Sequence, residues 1–378
     1  YELRLSLVGS EMCIRDRQIG ADSFQDEGVD TVLDTVTDRA GVNALFLATP
    51  TWSLATGGRA EPGRPVPDHG ATEPASPGWK GGSYATPHPE YYARTALGPV
   101  PSAGWDMLAE VTTAAARRGV RSYAWIDESA HARTLRGYPG FLTVLEVDMW
   151  NKPARRPCYR NPDYRYWHLG LVEDYIKSYP IDGLGWSTDR IGPLNLLLQG
   201  PARQGLGLVV CYCSHCKQAG AERGIDWRRA QEGHRKLVTL NAAVAAGDVP
   251  EDGAFVSVWR LLLNHPEVLA WQALWTDGQH QVYRDVYGMV KAYRPEVQVG
   301  WTIDHADTLH PFFRASQDLA EMSHFSDFLK VAVYDNAAGP RLHTMVDGLA
   351  RAVFGDAEPR EVYPLLARMM GLPQVPYD

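Results

Sequence analysis

With 378 residues, 45% of them hydrophobic and 22% charged, the chain can bury a large core and fits a single α/β barrel with insertions. The 45 acidic and 37 basic residues leave a net charge of −8, and no stripe of Lys or Arg runs along the chain to neutralise phosphates, which argues against nucleic acid as a partner. No run of about 18 consecutive apolar residues occurs, which excludes a membrane-spanning helix and predicts a soluble chain.

Residues 1–17 (YELRLSLVGSEMCIRDR) read as translated sequencing-adapter read-through of the kind found at the ends of environmental, metagenomic gene assemblies. They are set aside as a non-native tail, and Cys13 with them. The true N-terminus and any signal peptide are then missing, which leaves a periplasmic or a secreted location open.

Residues 18–378 read as a (β/α)8 TIM-type barrel that stops after its sixth strand and the helix that follows it. Val29, Val32, Leu33 and Val36 have helical spacing, and the apolar run 42–49 is the first strand. The stretch 50–104 is a long loop insertion dense in Gly and Pro, with Trp52, His69, Trp79, His88, Tyr91 and Tyr92; a loop after the first strand of a barrel is expected to roof its catalytic face. An amphipathic helix at 106–118 is stopped by Gly119, and 121–127 is the second strand, with Asp127 and Glu128 at its C-terminal end. The third strand is 142–147. Asn161-Pro162 then opens a helix whose buried stripe is Tyr164, Trp167, Leu171, Tyr175 and Ile176. The fourth strand, 181–186, leads into a largely helical insertion at about 189–296. The fifth and sixth strands are 297–304 and 328–335, and 348–370 is helical.

Polar residues at the C-terminal ends of these strands are the candidates for chemistry. Asp189, just past the fourth strand, suits a general acid that protonates a glycosidic oxygen, against the plainer reading of a salt bridge to Arg190. Asp182, at the start of that strand, reads as a structural cap. Candidate substrate contacts are Trp186, Arg190, Asp127, Glu128, Trp301, His305, Tyr334, Asp335 and Asn336. Trp186 packs equally well into a barrel core, and Asp127 and Glu128 could simply neutralise Arg133 and Arg136. Asp304 or Asp335 could be a second carboxylate, about 6.5–9.5 Å from Asp189 in an inverting enzyme or about 5–5.5 Å in a retaining one. The content of 12 Trp and 18 Tyr suits sugar-ring stacking as well as core packing.

Three of the five cysteines, Cys211, Cys213 and Cys216, fall within six residues as Cys-x-Cys-x-x-Cys. A closed structural zinc site needs four N or S ligands, and Cys158 is the first choice for the fourth, with His215 as the backup. Reduced, unpaired thiols are the alternative.

These motifs resemble the zinc-carrying β-galactosidases of glycoside hydrolase family 42 and related hypothetical glycosyl hydrolases. RRPCYRNPDYR, with Cys158, Asn161, Pro162, Tyr164 and Arg165, is similar to the family's RR-x-x-C-x-N-S-P-x-Y-R; GWSTDR followed by CYCSHC is similar to G-W-x-x-D-N-E followed by C-Y-C-x-x-C; and VYDNAAGP is similar to S-W-D-N-Y-P. The resemblance implies a barrel, a zinc ion on Cys158, Cys211, Cys213 and Cys216, and a carbohydrate substrate. It maps the acid/base Glu onto Asp189 and the preceding Asn onto Thr188. Asp reaches one methylene less far, and Thr has no amide to contact a sugar 2-hydroxyl. The resemblance also places the nucleophile on a seventh strand, which implies that this chain alone is inactive.

The reading is a glycoside hydrolase that cuts by carboxylate acid/base catalysis and is braced by zinc. A non-catalytic sugar-binding barrel is one alternative. A metal-dependent isomerase or lyase using His69, His88, Asp304 and His305 is another.

Overall fold

The computed structural model describes residues 15–52, 81–128, 137–188, 190–199, 209–303, 310–331 and 340–371. Its centre is a parallel sheet of six strands: β1 (Asp16–Ile19), β2 (Ala44–Ala48), β3 (Arg121–Asp127), β6 (Gly183–Ser187), β7 (Gln298–Ile303) and β8 (Phe328–Val331), lying side by side in chain order. A separate antiparallel pair, β4 (Leu145–Val147) and β5 (Pro153–Pro157), is inserted between β3 and β6.

Side-chain contacts show that the sheet is curled. Strands β2 and β8 are four places apart, about 19 Å in a flat sheet, yet the rings of Phe46 and Phe328 lie 5.9 Å apart. Lys330 of β8 also forms an ion pair with Asp16 of β1, at the opposite edge. Phe46, Tyr123 and Trp125 therefore share a concave face with Phe328. Gly183 and Gly300 leave room on that face: a Cβ at Gly183 would sit 2.3 Å from the Tyr123 ring, and one at Gly300 2.2 Å from the Phe328 ring. The result is a half-barrel of TIM-like topology.

Alternation along the strands sends the other residues outward, which is why the strands read as continuous apolar runs. Leu45, Leu47, Ala124, Ile126, Leu184 and Val299 join the main core beneath the helices. Helices α1 (Ala21–Glu27) and α2 (Val29–Asp34) divide at Gly28, and α3 (Met107–Arg117) is capped by Asp106, which accepts from Ala109 N at 2.9 Å. As expected, Asn161 caps α4 (Pro162–Ser178) and accepts from Asp163 N at 2.9 Å. The insertion after β6 contains α5 (Pro193–Leu198), α6 (Ser214–Glu222), α7 (Trp227–Ala245), α8 (Ala254–Asn264) and α9 (Glu267–Tyr293). Among the described residues, no helix is long and apolar enough to cross a membrane.

Two expectations need correction. The stretch 142–147 is not a barrel strand: Leu145–Val147 turns back on Pro153–Pro157, because Asp148 Oδ1 accepts from Trp150 N and Lys152 N, both at 2.8 Å, and Asn151 takes a left-handed φ of 62°. A strand inside the presumed tail takes its place, since Asp16 and Arg17 pair in register with Ala44 and Leu45. Gly183–Ser187 thus remains the fourth strand of the sheet. The described part of the 50–104 loop, residues 50–52 and 81–104, lies at the end of β2, where Thr51 pairs with Gly82 and Tyr84 N donates to Thr49 Oγ1 at 3.1 Å, and continues along α4; residues 53–80, with His69 and Trp79, lie outside the described residues. Ala96 N donates to Asp163 Oδ1 at 2.8 Å and His88 N to Asp174 Oδ2 at 2.9 Å, while Tyr92, Leu97 and Val100 are buried.

Candidate active site and metal centre

The C-terminal ends of β3 and β6 meet in register, with Asp127 beside Ser187. Trp125 Nε1 donates to Ser187 Oγ at 2.7 Å, and Glu128 N donates to Ser187 O at 3.0 Å. Thr188 is held twice. Gln279 Nε2 of α9 donates to its hydroxyl at 2.9 Å, and an Arg156 guanidinium nitrogen donates to its carbonyl at 2.9 Å. Asp189 follows directly but lies outside the described residues, as do Asp304, His305, Tyr334, Asp335 and Asn336.

Arg190 does not reach a cleft. Its guanidinium is buried against Glu128, donates to Pro157 O at 2.6 Å, stacks 4.2 Å from the Tyr159 ring centre and lies 3.8 Å from Glu146. Burial pulls Arg190 down to about 9, which leaves it charged at neutral pH. Burial pushes the Glu146 carboxyl up to about 8, and Trp275 Nε1 donates to it at 3.3 Å. Arg190 and Glu128 form an internal clamp between the β3 end, the β6 end and the β4–β5 pair. Both were expected to contact substrate, and both are committed to this clamp. Sequence reasoning missed Glu146; its signal was a single charge between the apolar Leu145 and Val147.

Trp186 and Trp301 lie in the core, the alternative that the sequence left open for Trp186. Gly185 and Gly300 face the concave side, so the tryptophans next to them point to the helices. Trp186 lies 4.1 Å from the His168 ring and 5.1 Å from Tyr283. Trp301 stacks on Tyr283 at 4.2 Å and donates to Phe325 O at 3.0 Å. Both are core residues. Asp182 fits the cap reading: its carboxylate accepts from Ser122 N at 2.7 Å at the opposite end of the sheet.

The four cysteines come together. Cys158 follows β5, and the segment before α6 pairs with β4, with Met149 N donating to Val209 O at 3.0 Å and Tyr212 N to Val147 O at 2.7 Å. Cys211 is thereby placed to accept from Val147 N at 3.5 Å, Cys213 caps α6, and Cys216 lies in its first turn. All four are buried, and their sulfurs lie within 4.8 Å of one another. Cys158 is 3.6 Å from both Cys213 and Cys216. A disulfide would need about 2.05 Å; a tetrahedral ion with bonds of about 2.3 Å would set sulfurs about 3.8 Å apart. The donor set therefore fits a tetrahedral thiolate-bound metal, with Cys158 rather than His215 as the fourth ligand. Burial holds the Cys211 thiol well above its usual range, while hydrogen bonds from Cys158, Cys211 and Cys216 hold Cys213 well below it. The N-terminus of α6 also favours negative sulfur.

No family model matches this chain, and no curated protein does. Among solved structures, it is similar to α-L-fucosidase isoenzyme 2 from Paenibacillus thiaminolyticus at 12% identity, covering 95% of this chain and 49% of that one with a TM-score of 0.43. It is also similar to a β-galactosidase from the haloarchaeon Halorubrum lacusprofundi at 13% identity, covering 88% of this chain and 43% of that one with a TM-score of 0.45. A maltogenic α-amylase, AmyB, from Thermotoga neapolitana overlaps at 11% identity over 94% of this chain and 75% of that one, with a TM-score of 0.27. The chain spans less than half the length of the first two, at 49% and 43%. At such scores the overlaps establish no chemistry, and the half-barrel stands on its own strand order and ring contacts.

Proposed function

We propose that the chain is the strand-one-to-six portion of a glycoside hydrolase in which Asp189 is the general acid and zinc on Cys158, Cys211, Cys213 and Cys216 braces the neighbouring loops. The observation that carries this reading is the meeting of Cys158 with the CYCSHC segment beside the fourth strand of a parallel half-barrel, the arrangement that the motif resemblance implies.

The zinc would be structural: four thiolates close its coordination and leave no position for substrate. It would tie the segment after β6 to the β4–β5 pair and so fix the exit path of the chain beyond Asp189. Thr188 is already anchored by Gln279 and Arg156, so its neighbour begins from a fixed backbone. A general acid there would give its proton to the leaving oxygen while a second carboxylate acts on the other face of the sugar. Asp335 and Asp304 are the candidates for that partner within this chain.

The test is hydrolysis of a panel of nitrophenyl glycosides by the complete gene product and its Asp189→Asn variant. The expected result is a fall in kcat of about 10²–10⁴-fold on the best substrate. Turnover that survives the change would remove Asp189 from the mechanism.

A further inference from the structure

Helices α5, α8 and α9, with α10 (Pro311–Ser316), enclose a pocket of about 590 Å³, a size typical of small-molecule sites. Leu194, Leu198, Val258 and Leu262 are among its walls, and they are buried. Phe255 and Trp259 also line it and remain 48% and 53% exposed. Two aromatic side chains held open beside an apolar pocket offer faces to a ring.

The polar lining groups have defined hydrogen-bond roles. Asn195 uses both amide hydrogens, on Ile191 O at 3.0 Å and Ser316 Oγ at 2.8 Å, which leaves its Oδ1 as an acceptor. Gln317 donates through Nε2 to Gln279 Oε1 at 3.1 Å, so its Oε1 takes the proton of His280 Nε2 at 2.9 Å. Asn195 therefore brings an accepting amide oxygen to the pocket lining.

Its charged residues are engaged elsewhere. Asp277 pairs with Arg160, Arg223 and Arg284; Glu321 pairs with Arg284; and Asp318 caps the short helix Leu319–Met322. Among the described lining residues there is no Lys or Arg. An anion would find no counter-charge. A sugar would leave most of its hydroxyls unpaired against apolar walls.

We propose that this pocket is a binding site for an uncharged, apolar-bodied alcohol or phenol, its ring held by Trp259 and Phe255 and its hydroxyl donating to Asn195 Oδ1. The proposal does not rest on the reading of Asp189 as a general acid.

The probe is 2-naphthol, titrated calorimetrically against the 378-residue chain. One-to-one saturable binding is expected. 2-Methoxynaphthalene, which cannot donate, should bind about tenfold more weakly, and naphthalene-2-sulfonate more weakly still. Ala273→Trp and Ala315→Phe, which fill the pocket from two different helices, should each weaken 2-naphthol at least about tenfold. The proposal is overturned by an absence of saturable 2-naphthol binding, by equal affinity for the sulfonate, or by undiminished binding to a folded, filled variant. The ligand series alone decides the matter if neither variant folds.

Discussion

Gln279 Nε2 lies 2.9 Å from Thr188 Oγ1, so a residue in the middle of α9 holds the position immediately before Asp189. The bond is the last of a chain with one polarity: His280 donates to Gln317, Gln317 to Gln279, and Gln279 to Thr188. All four side chains are buried. Replacing Gln279 with Leu removes a donor to Thr188 and an acceptor for Gln317 at once. The expected cost is about 1–3 kcal/mol for each group left without a partner. Urea unfolding of Gln279→Leu checks it, and a change below about 0.5 kcal/mol would mean that the chain of bonds is not formed.

Arg190 and Glu128 give a second prediction. Both side chains are nearly inaccessible, at 3% and 11%. Arg190→Met leaves Glu128 buried without its partner and should cost about 3–5 kcal/mol, whereas Arg190→Met with Glu128→Gln should recover much of that loss. A double variant no more stable than the single one would show that the arginine acts through its packing on Tyr159 instead.

The sequence made much of this legible, and the limits were physical. Asn161-Pro162, Asp106 and Gly119 marked their helix ends because caps and left-handed turns depend on single residues. The cysteine spacing pointed to the cluster because three ligands were local and only one Cys remained within reach. The edge strand Asp16–Ile19 was hidden because DRQI carries no apolar run; its pairing with β2 and the Asp16–Lys330 contact make it a strand. Leu145–Val147 looked like a barrel strand because hydrophobicity does not distinguish parallel from antiparallel pairing, which here is set by the Asp148 turn. Trp186 and Trp301 could have been assigned correctly. Gly-Leu-Gly-Trp-Ser alternates, and glycines are what a crowded concave face requires, which sends the tryptophan outward.

That crowding is itself testable. A methyl group at Gly183 would lie 2.3 Å from the Tyr123 ring and 2.8 Å from Gln298 O, so neither neighbour can give way cheaply. Gly183→Ala should destabilise the chain by about 1–3 kcal/mol, although alanine suits a strand better than glycine does. Gly98→Ala, where nothing lies within 4 Å, is the control and should stay within about 0.5 kcal/mol of the parent.

Metal content follows from the cysteine cluster. One equivalent of zinc per chain is expected by elemental analysis of protein prepared without added chelator. Cys213→Ser should lose that metal together with a large part of the thermal stability, because binding energy at such a site is folding energy. A metal-free preparation that unfolds at the same temperature as the metal-loaded protein would remove the structural role.

His168 sets a pH dependence. Its ring is buried against Trp186, neither nitrogen has a hydrogen-bond partner among the described residues, and burial lowers its pKa from 6.5 to about 3. Between these values the unfolded chain binds a proton that the native chain does not. Stability from this residue is therefore complete above about pH 6.5 and falls as the pH drops towards 3, by about 1.4 kcal/mol per pH unit. His168→Phe keeps a ring at 4.1 Å from Trp186 and removes the titration. Urea unfolding from pH 7 to pH 4 should show the parent losing ground to this variant at that slope below about pH 6. Parallel stability curves would mean that the native imidazole takes up its proton as readily as the unfolded one.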